Sequence, residues 1–195
     1  MNQKYVLTDE TIEVNGKTLH RIKAVKDFSD VKSGDFGGFV ESEKNLDSDD
    51  NAWVYGNAMV SGDAMVSDNA WVSGDACVYD NAMVSGDARV YGDARVYGDA
   101  WVFSNETYMV IGPIGSRNDF ITFTRDAKGV IYASVGCFHG TLEEFRKKVP
   151  KKHGDNIHAK SYMIAADLAE VRIDTKPYEC EDEFNGDDSY ERPRS

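Results

Sequence analysis

NAWVYG NAMVSG DAMVSD NAWVSG DACVYD NAMVSG DARVYG DARVYG DAWVFS, residues 51–104, is nine consecutive copies of one six-residue unit, Asx-Ala-x-Val-(Tyr/Ser/Phe)-(Gly/Asp/Ser), with no insertion. A short strict period marks a chain coiled on itself in stacked layers. Val54, Val60, Val66 and their successors to Val102 recur every sixth residue, with Ala58 to Ala100 four places after each Val. Side chains alternate along an extended backbone, so Val and Ala share the inward face while the residue before each Val points out. Between inward pairs stand Gly-Asp, Gly-Asn or Asp-Asn, residues that accept the positive φ of tight corners. Three six-residue sides per circuit make an 18-residue coil. The run therefore supplies three coils, a rod about 14 Å tall at about 4.8 Å per layer.

This Val-plus-small hexad resembles the left-handed parallel β-helix of the hexapeptide-repeat superfamily, best known from acyltransferases. The resemblance implies left-handed coiling and trimers packed side by side. In the enzymes of that superfamily it also implies a catalytic histidine at a coil edge between subunits. His20, His139, His153 and His158 all fall outside the repeats, and no loop interrupts a coil to cover an acceptor. Acyl transfer is therefore the alternative expectation, beside a purely structural trimer.

On either side of the repeats the pattern changes. Residues 5–14 and 17–26 alternate apolar and polar residues across Asn15-Gly16, a hairpin signal. Asn45-Leu46 falls six residues before Asn51-Ala52, which predicts a degenerate coil in the same register. Residues 1–50 read as an N-terminal β cap over the open end of the solenoid, which would otherwise expose unpaired backbone. After Ser104 a small α+β domain is expected over residues 105–175. Its strand candidates are Tyr108–Ile111, Asp119–Thr124 and Val130–Val135. A helix should start at the capping box Thr141 to Glu144 and stop before Pro150. A second helix is predicted from about Asp155 to Ile173, with Ile157, Ile164, Leu168 and Val171 on one face at amphipathic spacing. Residues 176–195 are acidic and poor in aliphatics, the composition of a disordered tail.

The outward residue before each Val runs Trp53, Met59, Met65, Trp71, Cys77, Met83, Arg89, Arg95, Trp101. Residues eighteen apart stack, giving the ladders Trp53/Trp71/Arg89, Met59/Cys77/Arg95 and Met65/Met83/Trp101, the last continued by Ser67/Ser85/Phe103. Rows of outward Trp and Met make a contiguous apolar patch of the kind that marks an interface. Trp53, Trp71, Met65, Met83, Trp101 and Phe103 are the expected contacts of a homotrimer.

The candidate ligand site lies after the rod. Gly112 to Asp119 is a Gly-rich turn carrying Ser116, Arg117 and Asn118, and Gly136 to Thr141 carries Phe138 and His139 into a helix N-terminus that favours anions. Arg recognises phosphate bidentately and an aromatic ring can stack on a base. Lys147 and Lys151, among Lys147, Lys148, Lys151, Lys152 and His153, add positive field. The expected ligand site is Ser116, Arg117, Asn118, Phe138, His139, Thr141, Lys147 and Lys151. The Asx rows are corner turns and not a calcium site, because the nine-residue Gly-Gly-x-Gly-x-Asp pattern is absent. No metal or cofactor is expected.

GDFGGFVESEKNL leading into the repeats, then IGPIGSRND, GCFHGTLEEF and HGDN, resembles phage- and prophage-encoded hexapeptide-repeat proteins over most of residues 30–172. Small phage proteins include oligomeric sponges that hold nucleotide signals of bacterial defence. The resemblance implies a homotrimer that sequesters a nucleotide-like small molecule or short oligonucleotide.

Composition sets limits on this. The formal net charge is -12 over 195 residues, which disfavours long duplex nucleic acid and anionic membrane as partners. Only residues 105–175 have a positive balance, with 10 basic against 9 acidic groups. The N-terminus has no apolar run for export or anchoring, and Cys77, Cys137 and Cys180 follow no disulfide pattern. A cytoplasmic protein is expected.

Overall fold

Val and Ala at alternating inward positions close the hexads into a solenoid whose interior contains little else. In the computed structural model, which describes residues 4–176, every one of these inward residues is at most 3% exposed. Nine two-residue strands, β4 to β12, run from Trp53–Val54 to Trp101–Val102 at six-residue steps. They stack in parallel with an 18-residue register: Trp53, Trp71 and Arg89 align, as do Met59, Cys77 and Arg95, and Met65, Met83 and Trp101. Backbone amides of one coil donate to carbonyls of the next, for example Tyr55 to Val72 at 2.7 Å and Trp71 to Ala88 at 2.9 Å. At the corners the Asx side chains form ladders of their own, Asn51 Nδ2 donating to Asn69 Oδ1 at 2.9 Å and Asn69 Nδ2 to Asp87 Oδ1 at 3.2 Å. The chain is a mainly β solenoid protein with two C-terminal helices.

Ahead of the rod, β1 (Tyr5–Val14) and β2 (Lys17–Ala24) form a hairpin through Asn15 and Gly16, both at positive φ. β2 pairs with β3 (Phe36–Val40), and β3 lies parallel on Met59–Val60, so the hairpin extends one side of the solenoid. Gly37 and Gly38 make this join possible. A Cβ on Gly38 would stand 2.4 Å from the Ala58 carbonyl oxygen, and one on Gly37 2.6 Å from that of Val54.

An additional coil does precede the regular ones, but its register differs from the one expected. Leu46 pairs with Val66 and therefore takes a Val position, not the Ala position that the spacing to Ala52 predicted. Val40 to Val60 and Leu46 to Val66 are both circuits of twenty residues, because the corner between Leu46 and Val54 is two residues longer than the others. Lys4 fills that corner. Its side chain is fully buried and its Nζ donates to the carbonyls of Asp50 at 3.0 Å and Ala52 at 2.8 Å.

Burial pushes the Lys4 ammonium down to about 8 from its ordinary 10.5. Between those values the unfolded chain holds a proton that the folded chain has released, so stability rises with pH across the window. The neutral amine keeps two N–H donors for the two carbonyls. Urea melts at pH 7.5 and 9.5 should show the wild type gaining stability relative to Lys4→Met by about 1–2 kcal/mol. Parallel pH dependence of the two proteins would refute the burial effect.

Beyond the rod, β13 (Tyr108–Ile114), β14 (Asp119–Arg125), β15 (Ile131–Val135) and β16 (Phe138–Thr141) form an antiparallel sheet in that order. The sheet and the helices α1 (Leu142–His153) and α2 (Ile157–Arg172) share a second core around Ile121, Phe123, Phe145 and Ala166. α1 runs through Pro150 instead of stopping before it and ends at Gly154, whose φ is 58°. The buried Leu142, Phe145 and Val149 hold its turns in place despite the donor that Pro150 lacks.

α2 has the opposite orientation to its amphipathic reading. Ala159, Tyr162, Ala165, Ala166 and Ala169 face the core, while Ile157, Ile164, Leu168 and Val171 are exposed. Alanines let the helix axis approach the sheet closely, and they supply the inner face that the larger residues were expected to provide.

The domain is tied to the last coils by an aromatic column. Tyr79 stacks on Tyr97 with centroids 4.6 Å apart, His139 lies 4.3 Å from Tyr97, and Tyr132 stacks on His139 at 5.6 Å. Arg125, fully buried, donates to the carbonyls of Asp126, Ala127, Asp174 and Lys176 and lies over the Phe103 ring. Among the described residues no helix is long and apolar enough to cross a membrane. Apart from Lys176, the expected acidic tail, with Cys180, lies outside the described residues.

Candidate functional site

Two turns and two helices of the C-terminal domain enclose a cavity of about 100 Å³. The β13–β14 turn brings Ser116 and Arg117, the β15–β16 turn brings Cys137 and Phe138, α1 contributes Phe145, Lys148, Val149, Lys152 and His153, and α2 contributes Tyr162. Glycines permit the close packing of these parts. Gly115, at φ 76°, lies against the Tyr162 hydroxyl, where a Cβ would come within 1.9 Å of Oη. Gly136, at φ 57°, lets the Arg117 guanidinium cross the second turn, where a Cβ would come within 2.0 Å of Nη2. Both take the left-handed backbone that glycine adopts most readily, and a side chain at Gly136 would push the flexible Arg117 guanidinium off the turn.

The floor is apolar and the rim cationic. Phe138 and Phe145 meet at 5.4 Å, Tyr162 stands edge-on to Phe145 at 5.7 Å, and His153 tilts on Tyr162 at 5.6 Å. Lys148 Nζ sits 5.0 Å from the centroid of Phe138. Arg117 is 65% exposed at its side chain and reaches Asp119 only at the outer limit of an ion pair, 4.0 Å. Among the described residues, Lys148 and Lys152 have no acidic partner and the Tyr162 hydroxyl makes no hydrogen bond. Burial pushes the Tyr162 phenol above its ordinary value, so it stays a neutral donor. Cation at the mouth and ring beneath it suit a small anion attached to a planar or apolar group.

Of the residues singled out in the sequence, Ser116, Arg117 and Phe138 line this cavity. The others have different duties. Asn118, at φ 51°, completes the turn through its amide to Gly115. His139 points to the opposite face of β16, where it tilts against Tyr97, stacks on Tyr132 and bonds Ser134 Oγ at 3.0 Å. Desolvation there lowers its pKa, against the pull of Asp80, Asp99 and Glu144. Thr141 caps α1, but Glu144 Oε2 already accepts from the Thr141 amide, so the helix end carries its own carboxylate. Lys147 pairs with Glu143, and neither Lys147 nor Lys151 lines the cavity. Helical spacing could have made the better choice: Phe145, Lys148, Val149 and Lys152 recur at three and four residues, and Lys147 and Lys151 stand about 110–150° round the helix from the centre of that stripe.

The rod's outer rows are largely satisfied within the chain. Trp53 is 1% exposed beneath Tyr5 and Phe28, so the surface expected to meet another subunit is covered by the chain's own first strand and the loop after the hairpin. Trp71 is flanked by Tyr55, with the Arg89 guanidinium 4.6 Å above its ring. Trp101 donates to Ser85 Oγ at 3.3 Å and meets Phe103 edge-on. Met65 is 38% exposed and Met83 half-buried. No group of three or more His, Cys, Asp or Glu among the described residues could hold a metal ion.

Comparison with curated proteins returns no match. A family model described as YdcK Beta solenoid repeat matches residues 52–66, 60–74, 76–90 and 88–103, so the rod is similar in sequence to that repeat family.

Proposed function

We propose that this chain is a non-enzymatic binding protein that takes up a nucleotide-like anion and holds it without turnover. The observation that carries the reading is the convergence of Arg117, Lys148 and Lys152 on a cavity floored by Phe138, Phe145 and Tyr162. A space of about 100 Å³ is smaller than the about 300–1,000 Å³ of pockets for drug-sized ligands and about two thirds of the about 150 Å³ that admits one benzene ring. It suits one phosphoryl group or the edge of one ring, with the rest of the ligand along the open cationic rim. The hexapeptide resemblance supports a left-handed coil and a homotrimer with one such pocket per subunit. The phage-protein resemblance supports sequestration of a host defence signal in the cytoplasm. Acyl transfer has less support, since His139 is engaged in the aromatic column and its lowered pKa follows from packing.

Titration calorimetry with inorganic phosphate, nucleoside monophosphates and cyclic dinucleotides tests the reading. A saturable ligand is expected, recoverable chemically intact from heat-denatured complex. Replacing Arg117 and Lys148 together by Ala should raise its Kd at least about 100-fold, two charge-assisted hydrogen bonds being worth about 1.5–3 kcal/mol each. The melting temperature of the unliganded variant should be unchanged. Undiminished affinity in the variant would move the site elsewhere, and a converted ligand or release of coenzyme A would replace sequestration with catalysis.

A further inference from the structure

The outward face of α2 has no role in the fold. Ile157, Ile164, Leu168 and Val171 are 69%, 68%, 50% and 86% exposed, on the side opposite the alanines that pack into the core. With Ser161 they recur at steps of four, three, four and three residues. Those are the d, a, d, a and d positions of a heptad, the spacing that keeps one seam of a helix facing another helix. A solvent-facing helix needs only one apolar stripe, and this one has two.

We propose that three copies of this chain associate through α2, packed in parallel as a short three-helix seam. The proposal rests on the homotrimer reading above and moves its interface from the rod's Trp and Met rows to the C-terminal domain. Ile157, Ile164 and Val171 at d with Leu168 at a disfavour a two-stranded parallel coil and favour three or four strands. The flanks agree with a parallel arrangement. Asp167 falls at g and Arg172 at e, and in parallel helices g of one copy faces e of the next, five residues further on. Asp167 would thus meet Arg172 of a neighbouring copy, and Arg172 has no acidic partner among the described residues. Asp167 also holds Arg146 at 2.9 Å, but it remains 64% exposed and Arg146 keeps Glu170 at 2.8 Å. Ser161 at the polar a position is satisfied within its helix, its Oγ donating to the Ile157 carbonyl at 2.8 Å. α2 has 16 residues, too few to form a stable coil as a free peptide, but its inner face already fixes it as a helix. Leu168 and Arg172 also border a groove of about 540 Å³ with Arg89 and Tyr91 of the rod, so a neighbour seated on α2 reaches the solenoid's flank.

Sedimentation of the full chain at micromolar concentration decides the proposal. The expected mass is three times 21.7 kDa. Ile164→Asp with Leu168→Asp should give a monomer with unchanged far-ultraviolet circular dichroism, since both residues face outward, whereas Trp101→Asp should leave the trimer intact. Arg172→Asp should raise the dissociation constant at least about tenfold, and adding Asp167→Arg should restore it. A monomeric wild type overturns both the trimer and this seam. A trimer that survives the Ile164 and Leu168 changes overturns the seam alone, and loss of the trimer in Trp101→Asp returns it to the rod.

Discussion

Val72→Asp should abolish folding of the rod. Val72 is fully buried in the middle layer, with Val54 and Val90 in the layers on either side. Replacing it removes about 1.5–3 kcal/mol of burial and places an unpaired carboxylate where water cannot reach, at a further several kcal/mol. The sum is comparable to the whole stability of a small domain, about 5–15 kcal/mol. Met65→Asp is the matched control: it also lies on a rod strand but points outward at 38% exposure, and should cost under about 1 kcal/mol. Soluble yield and thermal melts followed by circular dichroism separate the two. A soluble Val72→Asp protein melting with the wild type would mean that the inward row has been misassigned.

The second large effect is expected at Gly38→Val. Any Cβ there meets the Ala58 carbonyl oxygen at 2.4 Å and Val54 Cγ1 at 2.6 Å, and a backbone oxygen held in the coil cannot swing aside. The substitution should cost about 3 kcal/mol or more, the upper end of overpacking, and force β3 off the solenoid. Because Tyr5 and Phe28 cover Trp53 from the same N-terminal region, the detachment should expose that indole and shift its fluorescence to the red. The regular coils beneath should keep their circular dichroism. Unchanged emission with unchanged stability would show that the join tolerates a side chain.

The two substitutions also mark where the sequence was informative. Val72 could be placed inward from spacing alone, because the period is local and each hexad repeats the same choice between two faces. The join at Gly38 could not, since it depends on two backbones meeting twenty residues apart after an enlarged corner that Lys4 fills. α2 shows a different limit. Its spacing identified an apolar stripe correctly, but a helix with alanines on one side and large aliphatics on the other does not reveal which side is inward until its distance from the sheet is known. At the cavity, Ser116, Arg117 and Phe138 were found because turn residues are adjacent in sequence, whereas Lys148, Lys152 and Tyr162 come together only through helix packing. His139 belongs to the column joining the domain to Tyr97, and its neighbour in sequence, Phe138, does not reveal that. Alternation along β16 places it on the opposite side from Phe138.

The equal three-sided circuit makes the solenoid a vernier. One extra hexad inserted among the regular coils would turn everything beyond it by a third of a revolution and lift it by a third of a layer, about 1.6 Å. Three extra hexads would lift it by a full layer and restore its bearing. Chain length in units of six thus sets the compass direction of the C-terminal pocket relative to the N-terminal hairpin, while units of eighteen set only the distance between them.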